Sequence, residues 1–277
     1  MEDLHEKKLK FLEEMANLIR QDIIEMLVLA GSGHSAGPLG MADIFTALYF
    51  NVLSHDPKKP DWDERDRLVL SNGHICPILY ASLARAGYFP LVKLKTLRRL
   101  NSQLQGHPHN LSLPGVEVSS GPLGQGISQA VGMALGAKLD KREQQIFCIS
   151  SDGEHNEGQL WEAVMSAKKF KLNNLIVIVD KNGIQIDGYT KDIMPLDPLK
   201  KKYLSFGWQV IEINGHNYKQ IINALNKARQ AKAPVAIIAK TILGKGVSFM
   251  ENDFNWHGKA PNKIEAEKAL KQLKNAV

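Results

Sequence analysis

Two short polar segments carry the residue types that bind a divalent cation and a phosphate. Asp152 is followed by Gly153, and 30 residues later Asn182 is followed by Gly183. Mg²⁺ takes six oxygen ligands, commonly one or two carboxylates with substrate phosphates, and a backbone carbonyl such as that of Ile184 adds another. Gly153 has no side chain, so its backbone N–H can approach a phosphate oxygen closely. Each pair alone is more typical of a turn, but the two together predict a metal and phosphate site.

Both segments follow short apolar runs that are typical of buried strands. Strands are predicted over residues 67–71, 145–149, 175–179, 209–213 and 235–242. Helices are predicted over residues 9–30, 42–52, 158–170, 218–231 and 263–274, with a glycine-dense loop over 31–40. Continuous apolar strands alternating with helices indicate a parallel sheet, in which ligands bind at the carboxyl edge. We therefore predict an α/β fold, a three-layer open parallel sheet with helices on both faces, built as one domain by residues 1–277.

The composition limits the possible partners. The 277 residues are 44% hydrophobic and 23% charged, which is ordinary for a globular protein. A net charge of +6 raises the question of nucleic acid, but the basic residues are spread out and lack interleaved aromatic residues, so no nucleic-acid partner is predicted. The longest uncharged run, residues 118–137, is too polar for a membrane span.

The cysteines and the N-terminus indicate the compartment. Cys76 and Cys148 lack the paired spacing of a zinc site or a disulfide framework, which fits a reducing compartment. Residues 1–8 offer no basic stretch followed by an apolar core, so no signal peptide is predicted. We therefore expect a cytoplasmic protein.

The segment around Asp152 resembles the thiamine diphosphate motif of a large enzyme superfamily, written Gly-Asp-Gly, spacer, Asn, with Ser151 at the place of the first glycine. Five further segments are similar to transketolase signatures, and they occur in the family's order along almost the full chain. They lie at residues 32–40, 70–74, 105–108, 121–126 and 244–258. The chain thus resembles the transketolases, and the resemblance implies their thiamine diphosphate-binding fold.

The resemblance implies a cofactor site. Thiamine diphosphate is the implied cofactor, with Mg²⁺, or Ca²⁺ or Mn²⁺ in its place. The implied metal ligands are Asp152, Asn182 and the carbonyl of Ile184. The implied contacts to the cofactor are His74, Gly153 and His257 at the diphosphate, and Gly121 and Leu123 at the aminopyrimidine side.

The resemblance also implies a substrate site. His34 and His107 are expected to face the substrate, with His257 within reach. Ketol transfer moves hydroxyl protons near neutral pH, where imidazole both donates and accepts them. Glu157 matches a buried family glutamate that joins a network across the subunit interface.

Full-length transketolases carry two more domains, a pyrimidine-binding domain and a C-terminal domain. The family's activating glutamate belongs to the pyrimidine-binding domain, and no residue of this chain matches that glutamate. The simplest expectation is a split transketolase in which this chain is the N-terminal subunit. A C-terminal subunit would then supply the pyrimidine-binding domain, in a heterotetramer with two copies of each chain. A fragment of a longer protein and a homologue without catalysis are the alternatives.

The expected reaction moves a two-carbon ketol unit from a ketose phosphate to an aldose phosphate, as in the pentose phosphate pathway. Another thiamine diphosphate enzyme, such as a deoxyxylulose-phosphate synthase or a transketolase for unusual sugars, is the alternative interpretation. Residues 71–74 and 105–108 favour a transketolase over the synthase but do not distinguish among sugars. A non-catalytic scaffold would be expected to lose its metal ligands, and both Asp152 and Asn182 are present.

Overall fold

The computed structural model describes the backbone of residues 2–275 and the side chains of residues 6–275. Of the N-terminal segment used to predict the absence of a signal peptide, residue 1 and the side chains of residues 2–5 therefore lie outside the described part. Within that part, no helix combines the length and the apolar character needed to cross a membrane.

The described residues form a central sheet, a small hairpin and helices. In chain order the helices are α1 (Glu2–Ala30), α2 (Ala36–Gly40), α3 (Ala42–Ala47), α4 (Cys76–Arg85), α5 (Gln125–Leu139), α6 (Gly158–Lys169), α7 (Thr190–Ile193), α8 (Leu199–Ser205), α9 (Tyr218–Arg229) and α10 (Lys263–Lys274). The strands are β1 (Arg67–Leu70), β2 (Ile146–Ser151), β3 (Leu175–Lys181), β4 (Ile184–Gln185), β5 (Gly188–Tyr189), β6 (Gln209–Asn214) and β7 (Val235–Lys240). The sheet has the order β1-β2-β3-β7-β6 with every pairing parallel, while β4 and β5 pair as an antiparallel hairpin.

Both faces of the sheet are buried. Successive strand residues point to opposite faces, so Phe147 and Ile149 of β2 join one apolar core and Cys148 joins the other. Residues of α1, α3, α4, α9 and α10 fill the first core, and residues of α5, α6 and α8 fill the second. The prediction of a three-layer α/β fold is confirmed.

The five predicted strands agree with the strands of the central sheet to within two residues at each end, whereas the hairpin of β4 and β5 is not predicted and some helical segments differ. Helix α5 is not predicted, because glycine costs about 1 kcal/mol in a helix interior and this segment contains several. Burial of Ile127, Ala130 and Ala134 against the sheet outweighs that cost. Part of the predicted loop at 31–40 is α2, and the predicted helix at 42–52 ends as a π-helical turn, Leu48–Val52.

The parallel register brings the site segments together. Ser151 at the end of β2 pairs with Asp180 of β3, and the Asp152 N–H donates to the Asp180 carbonyl at 3.0 Å. Helix α5 begins beside the end of β1, where the Gly126 N–H donates to Ser71 Oγ at 3.1 Å. The loops after β1, β2 and β3 and the start of α5 therefore meet at one edge of the sheet.

The contact between α5 and β1 yields a test of this packing. A Cβ on Gly126 would lie 2.5 Å from Ser71 Cα, whereas a Cβ on Gly132 of the same helix would meet nothing within 4 Å. We expect Gly126→Ala to lower the free energy of unfolding by about 1–3 kcal/mol through overpacking. Gly132→Ala is the matched control and should raise it by roughly 0.5–1 kcal/mol. Urea unfolding followed by circular dichroism measures both, and equal stabilities would contradict the close approach.

Candidate active site

A cleft of about 300 Å³ opens at the carboxyl edge of the sheet. Nine of the predicted site residues line it: His34, His74, His107, Gly121, Leu123, Gly153, Asn182, Ile184 and His257. Asp152 lies buried beneath the cleft, and Glu157 lies exposed outside it, beside Gly124. Segments that are far apart in the sequence thus converge on one small space.

A larger groove, of about 930 Å³, runs along the ends of β6 and β7 and borders the cleft at Asn182. One histidine lines it, His216, whose Nδ1–H donates to Asp43 at 2.7 Å and whose Nε2 accepts from the Ile242 N–H at 2.8 Å. Because both nitrogens are engaged within the protein, His216 is structural. The groups that can bind a metal or move protons meet in the cleft. The cleft is therefore the candidate active site, although its volume is smaller than that of the groove.

The Asp152 carboxylate joins the two loops that offer metal ligands. Its Oδ1 accepts from the Gly153 N–H at 2.8 Å, and its Oδ2 accepts from the Gly183 N–H at 2.7 Å. The Asn182 amide oxygen accepts from the Ile184 N–H at 2.9 Å. Each of these oxygens accepts one hydrogen bond and has a second lone pair available for a cation.

Asp180 lies behind Asn182 and is a site residue that sequence reasoning missed. Its Oδ2 accepts from Asn182 Nδ2 at 3.0 Å, and the Thr241 hydroxyl donates to its Oδ1. Burial raises the pKa of Asp180 to about 6, and burial together with the neighbouring Asp180 raises the pKa of Asp152 to about 7. Two adjacent buried carboxylates are an environment that a divalent cation stabilises.

The donor set fits a hard cation held partly by a ligand. Among the described residues, no group of three or more His, Cys, Asp or Glu side chains surrounds a metal position. A metal in this cleft would therefore depend on the amide oxygen of Asn182, a backbone carbonyl and ligand oxygens in addition to Asp152. That combination is typical of Mg²⁺ bound together with a phosphate group.

Three imidazoles form a cluster in the cleft. The ring centroid of His34 lies 4.9 Å from that of His74 and 5.5 Å from that of His257, and the last two are 5.3 Å apart. Burial and the neighbouring His257 lower the pKa of His34 to about 4. Burial also lowers the pKa of His74 well below its ordinary value and lowers that of His257. The rings are therefore neutral near pH 7.

Unpaired ring nitrogens mark where a ligand fits. The Nδ1 atoms of His34 and His257 are buried and have no hydrogen-bond partner, whereas buried polar atoms are normally paired. Ile75 and Leu243, both almost fully buried, line the same cleft. An oxygen-rich floor, orphaned imidazole nitrogens and apolar walls suit a ligand that combines a phosphate end with a ring.

Arg98 is a second residue that sequence reasoning missed. A Cβ on Gly106 would lie 2.7 Å from Arg98 Cζ, and the guanidinium contributes to lowering the pKa values of both His34 and His107. Its Nη2 donates to the Gly106 carbonyl at 3.4 Å, and no described carboxylate forms an ion pair with it. Nothing in the sequence distinguishes Arg98 from the basic residues around it.

Glu154 is the third such residue. It is fully buried between the metal-ligand segment and the start of α5. Burial raises its pKa, and hydrogen bonds from Ser71, Gly124 and Ser151 oppose that rise. Its position between Asp152 and Glu157 is the one signal that the sequence offers for it.

A family model described as transketolase, thiamine diphosphate binding domain, matches residues 12–275. A 6-deoxy-6-sulfo-D-fructose transketolase subunit of Clostridium sp. strain MSTE9 is 45% identical over 247 residues, which cover 89% of this chain and 90% of that one. One of the subunits of an apulose-4-phosphate transketolase of Actinobacillus succinogenes is 41% identical over 95% of this chain and 96% of its own.

The fold is also similar to a solved transketolase. The crystal structure of the transketolase from Campylobacter jejuni superposes with a TM-score of 0.91 at 38% identity. The match covers 96% of this chain and 43% of the Campylobacter chain. The similarity therefore extends over nearly all of this chain but over less than half of that transketolase.

The histidine cluster predicts a pH dependence of stability. Burial lowers the pKa of His34 from 6.5 to about 4 in the folded chain, so the unfolded chain takes up this proton first as pH falls. The stability that the folded chain has with His34 neutral is fully present above pH 6.5, and it is lost as the pH falls from 6.5 toward 4. We expect His34→Gln, which cannot be charged, to flatten this decline in urea unfolding experiments. The exposed His109, outside the cleft, supplies the control His109→Gln, and a wild-type decline in His34→Gln would contradict the assignment.

Proposed function

Because this chain belongs to the transketolase family, through its thiamine diphosphate-binding domain, we propose that it is the N-terminal subunit of a split transketolase. The convergence of nine motif-matched residues on one cleft is the observation that carries this proposal. Relatives that match this chain over nine tenths or more of their own length are named as subunits, which supports a partner chain. The partner would supply the pyrimidine-binding domain, in a heterotetramer with two copies of each chain.

The proposed cofactor is thiamine diphosphate with Mg²⁺, or with Ca²⁺ or Mn²⁺ in its place. When bound, thiamine diphosphate supplies the group that accepts and releases the two-carbon unit. Asp152, Asn182 and the Ile184 carbonyl would hold the metal, because hydrogen bonds tie Asp152 to the loop of Asn182 and Ile184, and the last two line the cleft. Gly153, His74 and His257, which line the same cleft, would contact the diphosphate.

The remaining cleft residues have proposed roles on either side of the cofactor. Gly121 and Leu123 would border its aminopyrimidine ring. His34, His107 and His257 would face the sugar. A neutral imidazole has one N–H donor and one acceptor nitrogen. These rings can therefore orient substrate hydroxyl groups, and each can accept a proton from a hydroxyl group without first being deprotonated.

Arg98 supports a substrate with an anionic group. A guanidinium without a carboxylate partner, placed beside His34 and His107, can bind a phosphate or sulfonate of the sugar. The sugars in the names of the two relatives carry such a group, a sulfonate in one and a phosphate in the other. We therefore propose an anionic ketose donor and an aldose phosphate acceptor, a class that includes the pentose phosphates.

Reconstitution tests the function. We expect this chain alone to be inactive, and the chain mixed with a polypeptide that carries the pyrimidine-binding domain to transfer ketol units. The assay contains Mg²⁺ and thiamine diphosphate, with ribose 5-phosphate or glyceraldehyde 3-phosphate as acceptor. Xylulose 5-phosphate, 6-deoxy-6-sulfo-D-fructose and apulose 4-phosphate serve as donors, and the fastest donor identifies the sugar class.

Two outcomes of the reconstitution would redirect the proposal. Substantial ketol transfer by this chain alone would refute the split arrangement. A mixture that binds the cofactor but transfers no two-carbon unit from any of the donors would favour a different reaction of the superfamily.

Two substitutions should separate cofactor binding from turnover. Asp152→Ala removes the carboxylate ligand, so metal-dependent binding of thiamine diphosphate to the assembled enzyme should weaken by about a hundredfold or more. His107→Ala leaves the metal ligands in place, so turnover should fall by roughly a hundredfold while cofactor affinity stays near that of the wild type. Calorimetry and steady-state kinetics measure the two effects. His109→Ala is the control for His107→Ala, and a reversed pattern would exchange the assigned roles.

A further inference from the structure

Glu154 connects three segments through one buried carboxylate. Its Oε1 accepts from the Ser71 hydroxyl and from the Gly124 N–H, each at 2.7 Å. Its Oε2 accepts from the Ser151 N–H at 3.0 Å. The side chain is completely shielded from solvent. All three partners are donors, so an ionised carboxylate satisfies every one of them.

Two of the three partners adjoin opposite halves of the cleft. Ser151, the last residue of β2, immediately precedes Asp152 and the loop proposed to hold the metal and the diphosphate. Gly124 immediately follows Leu123, which lines the cleft on the side proposed for the aminopyrimidine ring. Glu154 therefore bridges the loop at one end of the proposed cofactor to the loop at the other end.

The two bridged loops differ in how else they are held. Strand pairing fixes Ser151 opposite Asp180, and the His155 Nδ1–H donates to the Ser151 carbonyl at 2.8 Å. The Gly124 N–H, at the left-handed N-cap of α5, has Glu154 as its partner. The metal loop is thus anchored by the sheet. The Gly124 loop is positioned relative to it through Glu154, both directly and through the Ser71 hydroxyl, which donates to Glu154 and accepts from the Gly126 N–H.

We propose that Glu154 is a positioning residue, which holds the loop of Gly121 to Gly124 at a fixed distance from the Asp152 loop so that both ends of the cofactor bind together. This inference rests on the proposed function, since it concerns the same cleft. Glu154 itself does not line the cleft, and it acts through the backbone of the residues that do.

The substitution Glu154→Gln breaks the bridge while preserving the shape of the side chain. An amide group has one acceptor oxygen, so its NH₂ must face either the Ser151 N–H or the Gly124 N–H. Either orientation disconnects one loop. The Asp152 loop retains its strand pairing in both cases.

The test compares two probes in the assembled enzyme by calorimetry. Thiamine diphosphate with Mg²⁺ spans both halves of the cleft, whereas inorganic pyrophosphate with Mg²⁺ occupies only the half beside Asp152. We expect Glu154→Gln to raise the dissociation constant of thiamine diphosphate by about tenfold, the effect of one charge-assisted hydrogen bond. The dissociation constant of pyrophosphate should change by less than about threefold, within the spread of a weak neutral contact.

Asp66 supplies a control. It is a buried carboxylate at the opposite edge of the sheet that accepts from the N–H groups of Ser54 and Gln145 at 2.8 and 2.9 Å, and it also pairs with the Arg229 guanidinium. We expect both Asp66→Asn and Glu154→Gln to lower stability, but Asp66→Asn should leave both dissociation constants unchanged. If Glu154→Gln does not fold, Ser71→Ala is the second variant, because it removes one donor to Glu154. It should weaken the binding of thiamine diphosphate more than that of pyrophosphate, by a smaller factor than expected for Glu154→Gln.

The outcomes separate this inference from the proposed function. A wild-type enzyme that binds neither probe would refute the proposed function itself. If the wild type binds both, equal weakening of the two probes by Glu154→Gln, or no weakening of thiamine diphosphate, overturns the positioning role. For Ser71→Ala, equal weakening of both probes has the same meaning.

Discussion

The parallel pairing of β2 and β3 is the constraint on which the site depends. Asp152 and Asn182 are 30 residues apart in the sequence, and the register that sets Ser151 opposite Asp180 brings their loops to the same edge. The Asp152 carboxylate then accepts an N–H from each loop. A shift of one residue in this register would reverse the faces of an entire buried strand, so the apolar cores on both sides of the sheet fix the geometry of the polar edge.

The polar edge concentrates groups that are unfavourable without a ligand. Asp152 and Asp180 are both buried and close to each other, and burial raises both pKa values. Nearby, two imidazole nitrogens have no partner. A bound cation offsets the repulsion between the carboxylates, and a phosphate group supplies ligand oxygens to that cation. These buried, unpaired groups lower the stability of the isolated chain. A ligand that pairs them would recover that free energy on binding, which would add to its affinity.

The sequence predicts most of the fold and the residues of the cleft, for different reasons. Strands buried on both faces are continuous apolar runs, so their positions are visible without any tertiary information. The cleft residues lie in glycine-rich segments that resemble a known family, and nine of them do converge. Glu154, Asp180 and Arg98 escape prediction because each acts through a tertiary contact, such as the bond from the Gly124 N–H to Glu154. Helix α5 escapes because its packing outweighs the poor helix propensity of its glycines.

The rim of the cleft supports the proposal that a second chain completes the site. Leu123 is 39% exposed and Ile186 is 62% exposed, although both line the cleft. Electrostatic interactions with a reacting sugar are strong only where water is excluded, and an open apolar rim does not exclude it. Glu157, exposed beside Gly124, lies next to the same rim. A second chain that covered Leu123 and Ile186 would bury apolar surface and close the cleft in one step, so assembly and formation of a dry active site would share the same driving force.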